Sequence, residues 1–183
     1  MNSKPIKIRL IGSVGSGKTT LARELSTILN IPYYQLDNVV WMRDHAGDIK
    51  RTDAERDHYL HSIISSGNWI LEGVHSEKWV SASFHQADWI ILLDPRYSVR
   101  TYRIIKRFFL QKIRVENSNY EPTVKIFLNM FKWNRYFEEV GKPNFLQSYG
   151  NYKNKLLVIS TDREAADYLD RVRRNLERQE MNR

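Results

Sequence analysis

At 183 residues, with 42% hydrophobic and 12% aromatic side chains, the chain carries enough apolar mass for one folded domain with a real core, which sets intrinsic disorder aside. It has no cysteine, so neither a disulfide framework nor a thiolate metal site is available. It has no apolar run near 18 residues and no signal-like apolar start over Met1–Lys7, from which we expect a cytoplasmic protein without a membrane partner. The formal net charge of +8 suits nucleotides and polynucleotides alike and does not choose between them.

The first predicted strand, Ile6–Ile11, alternates apolar and polar residues. It runs into Gly12-Ser13-Val14-Gly15-Ser16-Gly17-Lys18-Thr19, which fits G-x-x-x-x-G-K-[ST], the phosphate-binding P-loop. Leu21, Leu25, Ile28 and Leu29 then recur at helical spacing. Strand, glycine-rich turn and helix form the context the motif requires. Glycines let consecutive backbone N–H groups curl inward toward phosphate oxygens, and the helix adds its positive N-terminal end. The expected nucleotide contacts are Gly12, Ser13, Gly15, Ser16, Gly17, Lys18, Thr19 and Thr20. Lys18 reaches the β- and γ-phosphates of ATP, and the Thr19 hydroxyl ligates Mg²⁺.

Ile31–Leu36 reads as a second strand, with Pro32 confined to its start, and ends at Asp37. Asn38–Arg51 lacks clean periodicity and is expected to be a loop or irregular helix. Thr52-Asp53-Ala54-Glu55 is a capping box opening a helix to about Ser66, stopped by Gly67. Asn68–Glu72 is a short strand closed by Gly73. Trp89–Leu93 is a continuous apolar run of the kind buried on both faces of a parallel sheet, ended by Asp94-Pro95. A long helix spans about Arg96–Gln111, and Lys112–Tyr120 is polar and expected to be mobile. Glu121-Pro122 starts a further helix. Lys155–Ile159 is a fifth strand, and Thr161-Asp162-Arg163-Glu164 a second capping box. Five strands interleaved with helices predict a doubly wound α/β fold with a five-stranded parallel sheet in a single domain, its lid region at about 100–145. The five tryptophans are expected to lie mostly in the core.

Ligands in such folds sit beyond the carboxyl ends of the strands, where Gly12–Thr19, Asp37, Glu72-Gly73, Asp94 and Ser160-Thr161-Asp162 gather. This arrangement resembles the small P-loop kinases related to adenylate kinase and shikimate kinase. It is more closely similar to the group named DNA topology modulation proteins. The shared pattern is the P-loop, then Ile31, Pro32, Leu36, Asp37 and Trp41, then Trp69–Gly73, then Asp94-Pro95 and a basic helix. The resemblance covers about residues 5 to 170. It implies that Asp37 orients or deprotonates the acceptor hydroxyl and that Glu72 joins the Mg²⁺ shell. Asp94 is a second metal candidate of the Walker-B type, and a strand terminator on the alternative reading. Val74-His75 stands where adenylate-kinase relatives carry an arginine, which argues against a nucleoside-monophosphate acceptor. His75 and Trp41 are secondary candidates for acceptor contacts.

Arg96, Arg100, Arg103 and Arg107 recur at i, i+4, i+7 and i+11 and so share one helix face. Tyr102, Ile105 and Phe109 lie near the opposite side. The resemblance makes the arginines a lid over the transferring phosphate, with Arg103 and Arg107 first and Arg100 and Arg135 after them. The expected activity is ATP- and Mg²⁺-dependent phosphoryl transfer to a small-molecule or nucleotide-like acceptor. The alternatives are a nucleic-acid-binding NTPase or DNA topology factor using the basic helix 96–114, and a nucleotide-binding module without catalysis.

Overall fold

The computed structural model describes residues 6–44, 47–112 and 123–181. The segment read as mobile lies outside these residues apart from Lys112, and so does the helix start read at Glu121-Pro122. Strand β1 (Lys7–Gly12) runs through the middle of a parallel sheet with β2 (Tyr33–Gln35), β3 (Trp69–Glu72), β4 (Trp89–Leu93) and β5 (Leu156–Ile159). The order across the sheet is β2-β3-β1-β4-β5. Leu10 stands opposite Glu72 on one side and Ile91 on the other, and Gly12 lies beside Leu93. This register brings the ends of β1, β3 and β4 to one edge, so the loops that follow them face each other.

Alternate residues of these strands build two apolar layers. Ile8, Leu10, Ile70, Ile91 and Ile159 pack against Leu21, Ala22 and Leu25 of α1 (Lys18–Leu29) and Leu169 of α8 (Asp162–Met181). On the other face Ile11, Trp69, Leu71, Ile90 and Leu92 meet three helical elements. These are α3 (Asp53–Ile64), α4 (Ser81–Gln86) and α7 (Lys142–Tyr149), which contribute Leu60, Ile63, Phe84, Phe145 and Tyr149. Helices on both faces make this the doubly wound P-loop NTPase fold.

The capping box of α3 forms as expected, the Thr52 side chain accepting from the Glu55 N–H and the Glu55 carboxylate from the Thr52 N–H. At α8 the box is displaced. Thr161 Oγ1 accepts from Glu164 N–H at 3.1 Å, but the Glu164 carboxylate takes the N–H of Ser160 at 2.7 Å. Other expectations need correction. Asp37 lies in the first turn of a short helix, α2 (Leu36–Val40), and Trp41–Met42 pairs with Ile49–Lys50 in a two-residue ribbon. The short turn at Lys78–Val80 and α4 carry no apolar periodicity and escape sequence reading. Only Trp69 among the tryptophans is buried. Trp41, Trp89 and Trp133 are exposed and Trp79 is half-buried, because they sit in the ribbon, at the far end of β4 and on the outer side of a helix.

The long basic helix, α5 (Tyr97–Lys112), packs on α6 (Val124–Tyr136), where the rings of Phe108 and Phe127 stack at 4.2 Å. A π-helical turn at Phe137–Gly141 links α6 to α7.

Candidate active site

The P-loop closes tightly because two neighbouring carbonyls leave no room for side chains; a Cβ on Gly12 would lie 2.5 Å from the Leu93 carbonyl oxygen. A Cβ on Gly15, whose φ is +73°, would lie 2.8 Å from the carbonyl oxygen of Arg100. Helix α5 thus lies directly against the loop, a closeness only glycine permits. The loop runs straight into α1, whose first turn has no acidic residue, leaving the positive end of the helix open to an anion. Lys18 Nζ donates to the carbonyl of Ser13 at 2.8 Å. A peptide cradle, a helix N-terminus and a lysine fit the phosphates of a nucleotide.

Thr19 Oγ1 donates to Glu72 Oε1 at 2.8 Å. Glu72 ends β3 and is 5% exposed. Burial pushes its carboxyl upward, while Lys18 and the Thr19 hydrogen bond pull it back. Gly73 brings the next turn down onto α2: a Cβ there would meet Leu36 Cβ at 2.7 Å. That contact delivers Asp37, exposed at the start of α2, to the same mouth. Burial lowers the Lys18 ammonium, and the charges of Glu72 and then Asp37 raise it, whereas Arg9 and Arg107 oppose it. Lys18, Thr19 and Glu72 therefore form one polar cluster, which the charges of Asp37, Arg9 and Arg107 reach. The hydroxyl and carboxylate of Thr19 and Glu72 suit Mg²⁺, which binds through one or two protein oxygens together with phosphate and water. Among the described residues no group of three His, Asp or Glu side chains gathers anywhere.

Asp94 is placed differently. Its carboxylate meets Lys142 Nζ at 3.3 Å and Arg100 Nη1 at 3.5 Å. Glu138, from the π-helical turn, completes a four-membered ion network with the same two cations. Arg100, Arg103 and Arg107 of the arginine face are turned toward the protein. Arg100 is 0% exposed. Arg103 donates to the P-loop carbonyls of Gly15 at 3.4 Å and Ser16 at 3.2 Å and pairs with Asp162. Arg107 is half-buried, and Arg96 and Arg135 are exposed, the latter paired with Glu139. The aromatic side faces solvent instead, with Tyr102 64% exposed.

Sequence reading missed Arg9. Alternation along β1 marks it as an outward polar position, yet it is 0% exposed. Its guanidinium lies over the Phe84 ring at 4.7 Å and donates to the carbonyls of Leu10, Leu71, Gly73 and His75, the last at 2.7 Å. It thereby holds the turn after Glu72. Burial pulls its pKa down to about 9, Glu72 opposing. His75 instead bonds Glu77 at 3.2 Å and meets the Trp79 ring edge-on at 5.2 Å. A cavity of about 260 Å³ lies along the free edge of β2, lined by Tyr33, Tyr34, Gln35 and Asn38 on one side and Tyr59 and Ile63 of α3 on the other.

No protein-family model matches the chain. It is 30% identical over 139 residues to a shikimate kinase of Staphylococcus epidermidis, the match covering 68% of this chain and 73% of that protein. Its fold is similar to shikimate kinase from Acinetobacter baumannii in complex with shikimate, with a TM-score of 0.62, 15% identity and coverage of 97% of this chain and 95% of that one. It is also similar to shikimate kinase from Bacteroides thetaiotaomicron, with a TM-score of 0.56, 16% identity and coverage of 94% and 98%.

Proposed function

This chain belongs to the shikimate kinase family of P-loop small-molecule kinases, and from that premise we propose that it transfers the γ-phosphoryl group of ATP, with Mg²⁺, to a hydroxyl of a small acceptor entering beside Asp37. The observation that carries this reading is the hydrogen-bonded Thr19–Glu72 pair beside Lys18 in the P-loop, at the strand ends after which Asp37 also lies. Phosphoryl transfer asks a protein for positioning and charge neutralisation more than for covalent chemistry.

The backbone of Gly12, Ser13, Gly15, Ser16, Gly17, Lys18, Thr19 and Thr20 cradles the phosphates. Lys18 neutralises developing charge, with Arg107 and Arg103 at the lid side. Thr19 and Glu72 hold Mg²⁺, which when bound supplies further neutralisation of the phosphate oxygens. Asp94 already faces two cations, so we assign it to the ion network rather than to the metal. Asp37 accepts or orients the acceptor proton. A polynucleotide footprint on α5 is disfavoured, because Arg100 and Arg103 are spent on the protein's own acids and loop carbonyls.

The test is Asp37→Asn, assayed by transfer from γ-labelled ATP. Transfer should fall about 10²- to 10⁴-fold, the range of a positioned base, with ATP affinity unchanged. Loss of ATP affinity in parallel would place Asp37 in the metal shell, and normal transfer would remove it from the reaction.

A further inference from the structure

One polar chain, buried at Ser13 and Asn134 and reaching the surface at Thr101, ties the P-loop to the lid helices. Ser13 and Asn134 are both 0% exposed. Ser13 Oγ donates to Asn134 Oδ1 at 3.1 Å across 121 positions of sequence. Asn134 Nδ2 donates to Thr101 Oγ1 on α5 at 3.3 Å, and Thr101 donates in turn to the Tyr97 carbonyl at 2.9 Å. The Tyr97 carbonyl can only accept, so the Thr101 hydroxyl donates to it, accepts from the Asn134 amide nitrogen and leaves Asn134 Oδ1 to accept from Ser13. Asparagine inside a helix is a poor helix former, and a buried amide is costly unless satisfied. An apolar side chain of similar size would suit the interior of α6 better if packing were its only task.

The loop end of this chain carries weight at the phosphate site. The Ser13 carbonyl accepts both Lys18 Nζ at 2.8 Å and the N–H of Ser16 at 3.2 Å. Fixing Ser13 therefore fixes the turn of the loop and the rest position of its lysine. At the other end, α5 carries Arg103 and Arg107 and presses the Arg100 carbonyl toward Gly15. We infer that Asn134 is a positioning residue of the nucleotide site: its amide sets Ser13 and couples the P-loop to α5 and α6, so that ATP affinity depends on the placement of the lid helices. This rests on the nucleotide site assigned above.

The experiment is calorimetric titration with ATP and Mg²⁺ of the wild type, Asn134→Leu, Ser13→Ala, Thr101→Val and the Ser13→Ala/Asn134→Leu double variant, with melting followed in parallel. Each single variant should raise the Kd for ATP about three- to tenfold, the effect of one neutral hydrogen bond. The double variant should be no worse than the worse single, because both remove the same link. In turnover, the KM for ATP should rise while that for the acceptor stays put. A lower melting temperature with an unchanged Kd in Asn134→Leu would make the residue structural only and overturn the inference, as would additive effects in the double variant. Should Asn134→Leu fail to fold, the near-isosteric Thr101→Val decides: a raised Kd supports the coupling and a wild-type Kd overturns it. A wild type that binds no ATP would overturn the nucleotide site itself, and this inference with it.

Discussion

Lys18 sits where burial opposes its charge and Glu72 and Asp37 sustain it, so its ammonium serves the site at some cost to the fold. Lys18→Ala should therefore melt within a few degrees of wild type while losing ATP binding or turnover. A variant that melts normally and still transfers phosphate at the wild-type rate would contradict the assignment. Arg9 has the opposite character. Its guanidinium satisfies the carbonyls of Gly73 and His75, so Arg9→Leu should destabilise the protein by about 3 kcal/mol in urea unfolding, the order expected when buried partners lose their donors. An unchanged unfolding midpoint would show that the turn holds without it. The two residues also mark what the sequence discloses. The chemistry of Lys18 and Thr19 is legible because the P-loop spacing itself encodes it. Arg9 is not legible, since its burial depends on Phe84 from α4, a helix of six residues with no apolar period.

Helix α5 shows the same division one level up. Its arginine stripe is legible from the i, i+4, i+7, i+11 spacing. Which side faces inward is not, because arginines ordinarily face water and the acids that receive Arg100 come from Asp94 and, 38 positions on, from Glu138. The ion network makes a pH-dependent prediction. Hydrogen bonds from Lys142 and then Arg100 hold the Glu138 carboxyl below its ordinary value of 4.5. A depressed folded pKa means that the contribution is complete above 4.5 and is lost as pH falls through the folded value. Glu138→Gln should thus cost about 1 kcal/mol at neutral pH, because the Glu138 side chain is 37% exposed and Asp94 remains beside Arg100. The gap to wild type should close on acidification, and a gap that persists unchanged in acid would contradict the network. For the lid, Arg103→Ala and Arg107→Ala should each lower transfer to a small acceptor by about 10²- to 10³-fold, with no requirement for polynucleotide. Intact transfer joined to a loss of DNA binding would return the helix to a nucleic-acid role.

At the scale of the molecule, the strand order β2-β3-β1-β4-β5 gathers the P-loop, Glu72 and Asp37 on one edge of the sheet. That edge was legible from five strand signals and one motif. A helix in the place of α6 is expected from the sequence, but its π-helical continuation into α7 is not, because that turn interrupts the period and the packing is set by contacts to Ser13 and Asp94 far away in sequence. The account stands on this edge being the site of a phosphotransfer to a small molecule. The most direct measurement follows the label of γ-labelled ATP, with Mg²⁺, in wild type and Lys18→Ala, offered shikimate and a panel of other hydroxylated small molecules, nucleosides and 5′-hydroxyl oligonucleotides. The account predicts label on one small acceptor in the wild type and none in the variant. Label released only as inorganic phosphate, and only when polynucleotide is present, would contradict it.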